Sequence, residues 1–240
     1  MVHSQPMDTV DTIGTLPDMH TLIIANAPNI DLAPYRTVIE HTNLLIAADG
    51  GAAALLNIDI TPDILIGDLD SLSDAQVAAL VERGSEVRRF PREKDETDLE
   101  LALLLAAERG AAQIDVLGAL GGRWDHTLAN VAMLAMPELA GSRIQLLADR
   151  QTLFLVRDHA VLPGIRGDTI SLLPLTPTVE GVTTRGLLYP LSDATLRADR
   201  ARGVSNVLLE PPGSVSVRAG LLLVVQHDDG GEYQYHSKQT

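Results

Sequence analysis

The sequence predicts an α/β protein in two parts: a three-layer open parallel sheet covered by helices, followed by an all-β sandwich of jelly-roll type. Three observations predict it. Up to about residue 148, short apolar runs alternate with longer helix-like segments. Those runs are continuously apolar instead of alternating, which is the pattern of strands covered on both faces. After about residue 150 the runs are short, rich in β-branched residues and separated by Pro and Gly, with no convincing helix between them.

The elements follow in order. The first 20 residues, MVHSQPMDTVDTIGTLPDMH, are polar, carry three acids and lack an apolar core of signal-peptide length. Residues 1–20 are therefore expected to form a flexible tail, and the protein to be cytoplasmic. No apolar run approaches the ~20 residues that a membrane span needs. The expected strands of the first part are TLIIAN, NLLIAAD, DILIGD, EVRRF, IDVLGAL and IQLLAD. Ser73 followed by Gln76 fits a capping box for a helix that Gly84 ends, and Thr97 followed by Glu100 fits another that stops near Gly110.

The second part runs through TLFLV, DTISLLPL, GVTTRGLLY, NVLLE, SVSVRA and LLLVVQ. Between two of these strands DATLRADRARG, ending in Gly203, leaves a helical turn or two open. The joint falls near Asp149 to Asp158, giving segments 1–20, 21–150 and 151–240.

Composition narrows the partners. With 240 residues, 45% of them hydrophobic, the chain can build one large core or two small ones. There are 32 acidic against 18 basic residues, a formal net charge of −14, and no Lys or Arg run. Nucleic acid and anionic membrane surfaces are poor partners for such a chain, whereas a cationic or metal-bound ligand suits it. The absence of cysteine excludes a disulfide framework, a thiolate metal site and a thiol nucleophile.

The polar residues gather after the strands. Asp49-Gly50-Gly51 follows LLIAA, and Gly67-Asp68-Leu69-Asp70-Ser71 follows ILI. PREKDETD, with Lys94, Asp95, Thr97 and Asp98, follows EVRRF; Gly121-Gly122-Arg123-Trp124-Asp125-His126 follows IDVLGAL. All stand at carboxyl ends of expected parallel strands, where open α/β sheets bind ligands, so four loops converge on one crevice. In an extended segment Asp68 and Asp70 point the same way. Asp95 and Asp98, three apart at a helix start, can share a face.

Carboxylates gathered in this way repel, by ~1 kcal/mol per pair about 4 Å apart in water and ~4 kcal/mol at an effective dielectric near 20. The cluster calls for a cation. With no Cys and no His among the acids, a hard, oxygen-liganded ion such as Mg2+ is favoured. Gly50-Gly51 and Gly121-Gly122 each precede a helix, where bare backbone and N-terminal amides can approach phosphate oxygens. Lys94 and Arg123 add positive charge. His126 and Asn130 lie four apart on one helix, and Trp124 either packs or stacks on a base. No Walker A sequence and no complete G-x-G-x-x-G occurs.

Taken in order, ADGGAAALL, PDILIGDLDSL, EKDETDLELAL and GALGGRWDHTLANV resemble the motif series of the thiamine pyrophosphokinase family. GDTISLLPL, GLLYPL and GVSN continue the series, so the resemblance runs from about residue 21 to residue 226. It implies an α/β catalytic domain, a β-sandwich thiamine-binding domain, and a homodimer whose active sites are shared between subunits. The implied reaction is Mg2+-dependent transfer of a pyrophosphoryl group from ATP to thiamine, giving AMP and thiamine diphosphate.

By motif, Asp68, Asp70 and Asp98 hold the Mg2+ with Asp95 beside them, and Asp98 or Asp95 accepts the proton of the alcohol. Asp49, Gly50, Gly51, Lys94 and Thr97 fall on the ATP side, as do Gly121, Gly122, Arg123, Asp125, His126 and Asn130. Ser205 and Asn206 of GVSN meet thiamine. Some relatives place an aromatic residue shortly after that pair; none occurs here between Val207 and Glu232, and Tyr189 is the candidate in its stead. Two other readings are a pyrophosphokinase acting on a pterin alcohol and a non-catalytic nucleotide or thiamine sensor. GVSN and GLLYPL weigh against the first, and the crowded acids against the second.

Overall fold

The structure is a computed structural model that describes residues 19–27 and 30–229. The expected tail lies outside the described residues, except at its end. His20 opens the first strand, and its Nε2 lies 2.9 Å from the buried carboxylate of Asp115, so the first strand begins one residue earlier than the sequence suggests.

The first part alternates strands and helices. The order is β1 (His20–Ile24), a 3-10 turn at Ala33–Tyr35, α1 (Arg36–His41), β2 (Leu44–Ala48), α2 (Gly51–Leu56), β3 (Ile64–Gly67), α3 (Asp74–Glu82) and β4 (Glu86–Arg89). It continues through α4 (Asp98–Glu108), β5 (Gln113–Leu117), α5 (Trp124–Met133), a 3-10 turn at Pro137–Leu139, and β6 (Arg143–Ala148). All six strands are parallel, in the order β6-β5-β1-β2-β3-β4.

Successive strand residues point to opposite faces, and both faces are covered. Ile23, Ile46, Ile64, Ile66 and Val116 pack under Leu99, Ala102, Leu103 and Ala106 of α4. Leu22, Ile24, Leu45, Ala47 and Leu65 pack against Ile39 of α1, Ala52 and Leu55 of α2 and Leu80 of α3. That sandwiching explains why the runs of β1, β2 and β3 are apolar, while β4 at the sheet edge, EVRR, buries none of its residues. The capping box of α3 forms as the sequence predicts, with Ser73 Oγ accepting from the Gln76 amide and Gln76 Oε1 accepting from the Ser73 amide.

The second part consists of β7 (Gln151–Val156), β8 (His159–Leu162), β9 (Thr169–Pro174), β10 (Thr178–Arg185), β11 (Ala194–Arg197), β12 (Asn206–Val207), β13 (Gly213–Ser216) and β14 (Leu222–His227). DATLRADRARG is not helical. Its Leu196 is buried between exposed neighbours and β11 pairs antiparallel with β10, so the two-residue period wins.

The joint also differs from a boundary between separate sheets. β6 turns at Asp149, in a left-handed conformation (φ 47°), straight into antiparallel β7. One ten-stranded sheet, β12-β9-β14-β7-β6-β5-β1-β2-β3-β4, therefore runs through both parts, and a four-stranded sheet, β11-β10-β13-β8, covers its mixed end. Phe154, Val156, Ile170, Leu172, Val182, Val215 and Val224 fill the space between them. The alternate residues Leu153 and Leu223 pack on the opposite face, continuous with the core under α4. The change of sequence pattern near residue 150 thus marks a change from parallel to antiparallel pairing within one sheet.

Candidate active site

The chain enters the sheet at β1, builds β2, β3 and β4 to one side, then crosses back to β5 on the other. Between β1 and β5 the strand order reverses, and open sheets part there at their carboxyl ends. A crevice of about 500 Å3 opens at that point, lined by Ala25–Ala27 after β1, Asp49 after β2, Asp68 after β3, and Gly118, Ala119, Gly121 and Gly122 after β5. Arg92, Lys94, Thr97, Asp98, Arg123, His126 and Asn130 complete its wall.

Its acids are held by backbone turns and by each other's loops. Asp49 is left-handed (φ 46°), and its carboxylate accepts from Asn26 Nδ2 and Ser71 Oγ, each at 2.8 Å. The segment from Asp68 to Asp70 is not extended: Leu69 takes φ 60° so that its side chain can enter the core on the α2 and α3 face. The chain consequently doubles back, and the Asp70 amide donates to Asp68 Oδ1 at 3.1 Å. Oxygens of Asp49, Asp68 and Asp70 then lie within 4.8 Å of one another.

Asp98, expected in this group, is engaged elsewhere. Its Oδ1 lies 2.9 Å from Lys94 Nζ, and its carboxylate sits against the backbone of Gly67, where an added Cβ would come within 2.9 Å of Asp98 Cγ. Gly67, at φ 134°, is the residue that permits this approach. Burial pushes the Asp98 carboxyl above the usual aspartate range; the Lys94 ammonium opposes that shift, and the charges of Asp49 and Asp68 add to it. Asp95 does not share a helix face with Asp98, because Thr97 is the N-cap and α4 starts only at Asp98. Asp95 is exposed and lies outside the crevice lining.

The glycine pairs differ. A Cβ on Gly50 would collide with the Asn26 side chain, and one on Gly51 with the Ile24 carbonyl, so this pair lets α2 close on the end of β1. Gly121 and Gly122 are left-handed (φ 92° and 66°) and face the crevice. Beyond them Arg123 caps α5 and grips Asp125 through Nε at 3.1 Å and through Nη2, which holds the Asp125 carboxyl down at about 2. Asn130 Nδ2 donates to the Ala119 carbonyl at 2.7 Å and ties α5 to the β5 loop.

Sequence reasoning missed Asn26 and Arg92. Asn26 ends the run TLIIAN and obeys the same rule of position that found the other four loops. Arg92 lies in PREKDETD and stands 3.7 Å from Asp70.

The proposed thiamine residues lie far from this crevice in the same chain. Ser205 is left-handed (φ 57°) and exposed, and its amide donates to Ser171 Oγ at 3.0 Å. Asn206 is buried: its Oδ1 accepts from the Tyr189 amide at 3.0 Å and its Nδ2 donates to the Tyr189 carbonyl at 2.8 Å. The Asn206 side chain thus pins the backbone of Tyr189, whose own side chain is exposed. β12 is the sixth strand from β1 along the sheet, a separation of about 29 Å at ~4.8 Å per strand.

Comparison with known proteins places both regions. Residues 35–146 match the family described as "Thiamin pyrophosphokinase, catalytic domain", and residues 157–222 match "Thiamin pyrophosphokinase, vitamin B1 binding domain". Thiamine pyrophosphokinase of Bacillus subtilis (strain 168) is 30% identical over 213 residues, covering 86% of this chain and 98% of that protein. The chain belongs to the thiamine pyrophosphokinase family. Thiamine pyrophosphokinase 1 of Arabidopsis thaliana is 28% identical over 255 residues, covering 94% of this chain and 92% of that protein. The crystal structure of the Bacillus subtilis thiamine pyrophosphokinase superimposes with a TM-score of 0.77 at 28% identity, covering 88% of this chain and 99% of that one. The acid group falls within the catalytic-domain match, and Ser205 and Asn206 within the vitamin B1 binding match. No helix among the described residues is long and apolar enough to cross a membrane.

Proposed function

We propose that this member of the family transfers a pyrophosphoryl group from ATP to the primary alcohol of thiamine in the cytoplasm. The observation that carries the proposal is the meeting of three carboxylates, two of which, Asp49 and Asp68, line a glycine-lined, arginine-flanked crevice. In the reaction the thiamine oxygen bonds to the β-phosphorus, the bond from that phosphorus to the α,β-bridging oxygen breaks, and AMP departs with the bonding pair. The proton of the alcohol passes to a base; Asp98 lines the crevice and Asp95 does not, so Asp98 takes that role.

An all-oxygen donor set of this span fits Mg2+. Asp49, Asp68 and Asp70 would hold the ion, which supplies charge neutralisation at the phosphate oxygens. The chain's own residues do the rest. Gly121 and Gly122 let the polyphosphate approach bare backbone at the start of the ten-residue helix α5. Arg92, beside Asp70, and Arg123, whose fork is engaged by Asp125, bring positive charge to the mouth of the crevice. Thr97 fixes the first turn of α4, and with it Asp98, by accepting from the Glu100 amide at 3.1 Å.

Since some 29 Å of sheet separates Ser205 from the crevice, a second copy of the chain supplies the thiamine side in a homodimer. Two exposed apolar surfaces favour that arrangement. Trp124 (78% exposed) and Leu128 (66%) stand one turn apart on α5 beside the crevice, and Tyr189 (65%) with Val204 flanks Ser205. Tyr189, pinned by Asn206, is then placed to stack on the pyrimidine of thiamine. An acceptor panel tests the reading. With ATP and Mg2+, AMP release should require thiamine and ignore a pterin alcohol; release with the pterin alone would change the acceptor, and release with neither would favour the sensor.

A further inference from the structure

The ion pair between Lys94 and Asp98 ties a crevice carboxylate to an internal cation. Both side chains are largely enclosed, Lys94 at 12% exposure and Asp98 at 20%, in a site where charges interact strongly. The pair holds Asp98 outside the group formed by Asp49, Asp68 and Asp70, although the carboxylate lies at the end of β3 and feels the charges of Asp49 and Asp68. The two partners differ in mobility. Asp98 stands in the first turn of α4, with Thr97 capping it and Gly67 beneath it. Lys94 reaches in from the loop before the helix on a flexible four-carbon stem, with one further bond to the Pro91 carbonyl at 3.3 Å.

Lys94 is therefore the partner that moves, and a polyphosphate entering the crevice offers its ammonium a denser negative charge. We propose that Lys94 is an exchangeable counterion: it neutralises Asp98 in the free protein and passes to the phosphates when the nucleotide binds, leaving the Asp98 carboxylate uncompensated beside the metal group and able to accept the proton of the alcohol. The proposal rests on the reading of the crevice as a metal–nucleotide site. Its consequence is coupling. Metal alone binds weakly because Asp98 is occupied by an internal cation, and each of metal and nucleotide raises the affinity for the other by the same factor.

The test is Mn2+ binding followed by electron spin resonance, on the intact protein without nucleotide and with α,β-methylene ATP. Lys94→Gln should bind Mn2+ about tenfold more tightly than the parent without nucleotide, and should lose most of the gain that nucleotide gives the parent. Lys94→Arg keeps the charge and should show no such tightening, which also separates the effect from a general change in the fold. If the parent binds Mn2+ and Lys94→Gln binds it with unchanged affinity and unchanged coupling, the exchange does not occur. If the parent binds no Mn2+ with or without nucleotide, the metal site and the exchange both fall.

Discussion

Turnover should fall about a hundredfold to a thousandfold in Asp68→Asn and in Asp70→Asn, with the fold unchanged. Each substitution keeps the shape of the side chain and removes a charge from a group whose oxygens lie within 4.8 Å of one another. Asp70 is exposed and Asp68 half-buried, so neither supports the core. Losing one of several like charges relieves repulsion of ~1 kcal/mol or more. Stability and activity should therefore move in opposite directions: the urea midpoint holds or rises while turnover collapses. Near-normal turnover in both variants would remove these acids from the reaction.

The second large effect concerns the partner. Ser205→Arg places a cation where the proposed homodimer would receive the positively charged thiamine, and should abolish turnover when present alone. Asp70→Asn protomers lack one acid of the group but keep an intact sandwich. Mixed dimers of the two variants then contain one site with both halves intact. After unfolding and refolding together, a mixture should regain about a quarter of parental turnover, since about half of randomly assorted dimers are mixed and one site in two is whole. Two silent variants would thus give an active mixture. If each chain held a complete site, mixing would restore nothing.

Much of this arrangement is legible in the sequence, for identifiable reasons. The strands β1, β2 and β3 show as continuous apolar runs because helices cover both faces of their sheet, whereas the edge strand β4, EVRR, has no buried residue. The loops of the crevice show because catalytic side chains in such folds stand after strand ends, and Ser73 with Gln76 announces α3 because the cap is local.

What the sequence hides depends on backbone turns and on residues far apart. Asp49 joins Asp68 and Asp70 only because its left-handed turn is braced by Asn26 and Ser71, 23 and 22 residues away. The reversal at Leu69 follows from a leucine drawn into the opposite core, which two-residue alternation cannot express. Gly50 and Gly51 look like a phosphate loop, and the sequence does not show that α2 crossing the end of β1 also requires them to be small. The continuous sheet is hidden for the reverse reason. A change of local pattern at residue 150 looks the same whether a domain ends there or a sheet changes from parallel to antiparallel pairing.

The central claim is that the chain moves two phosphates in one step, and phosphorus resonance of the products tests it most directly. With ATP, Mg2+ and thiamine, AMP and thiamine diphosphate should appear in equal amounts from the first turnover onward, with no thiamine monophosphate between them. ADP appearing together with thiamine monophosphate would mean attack at the γ-phosphorus, and would contradict the account.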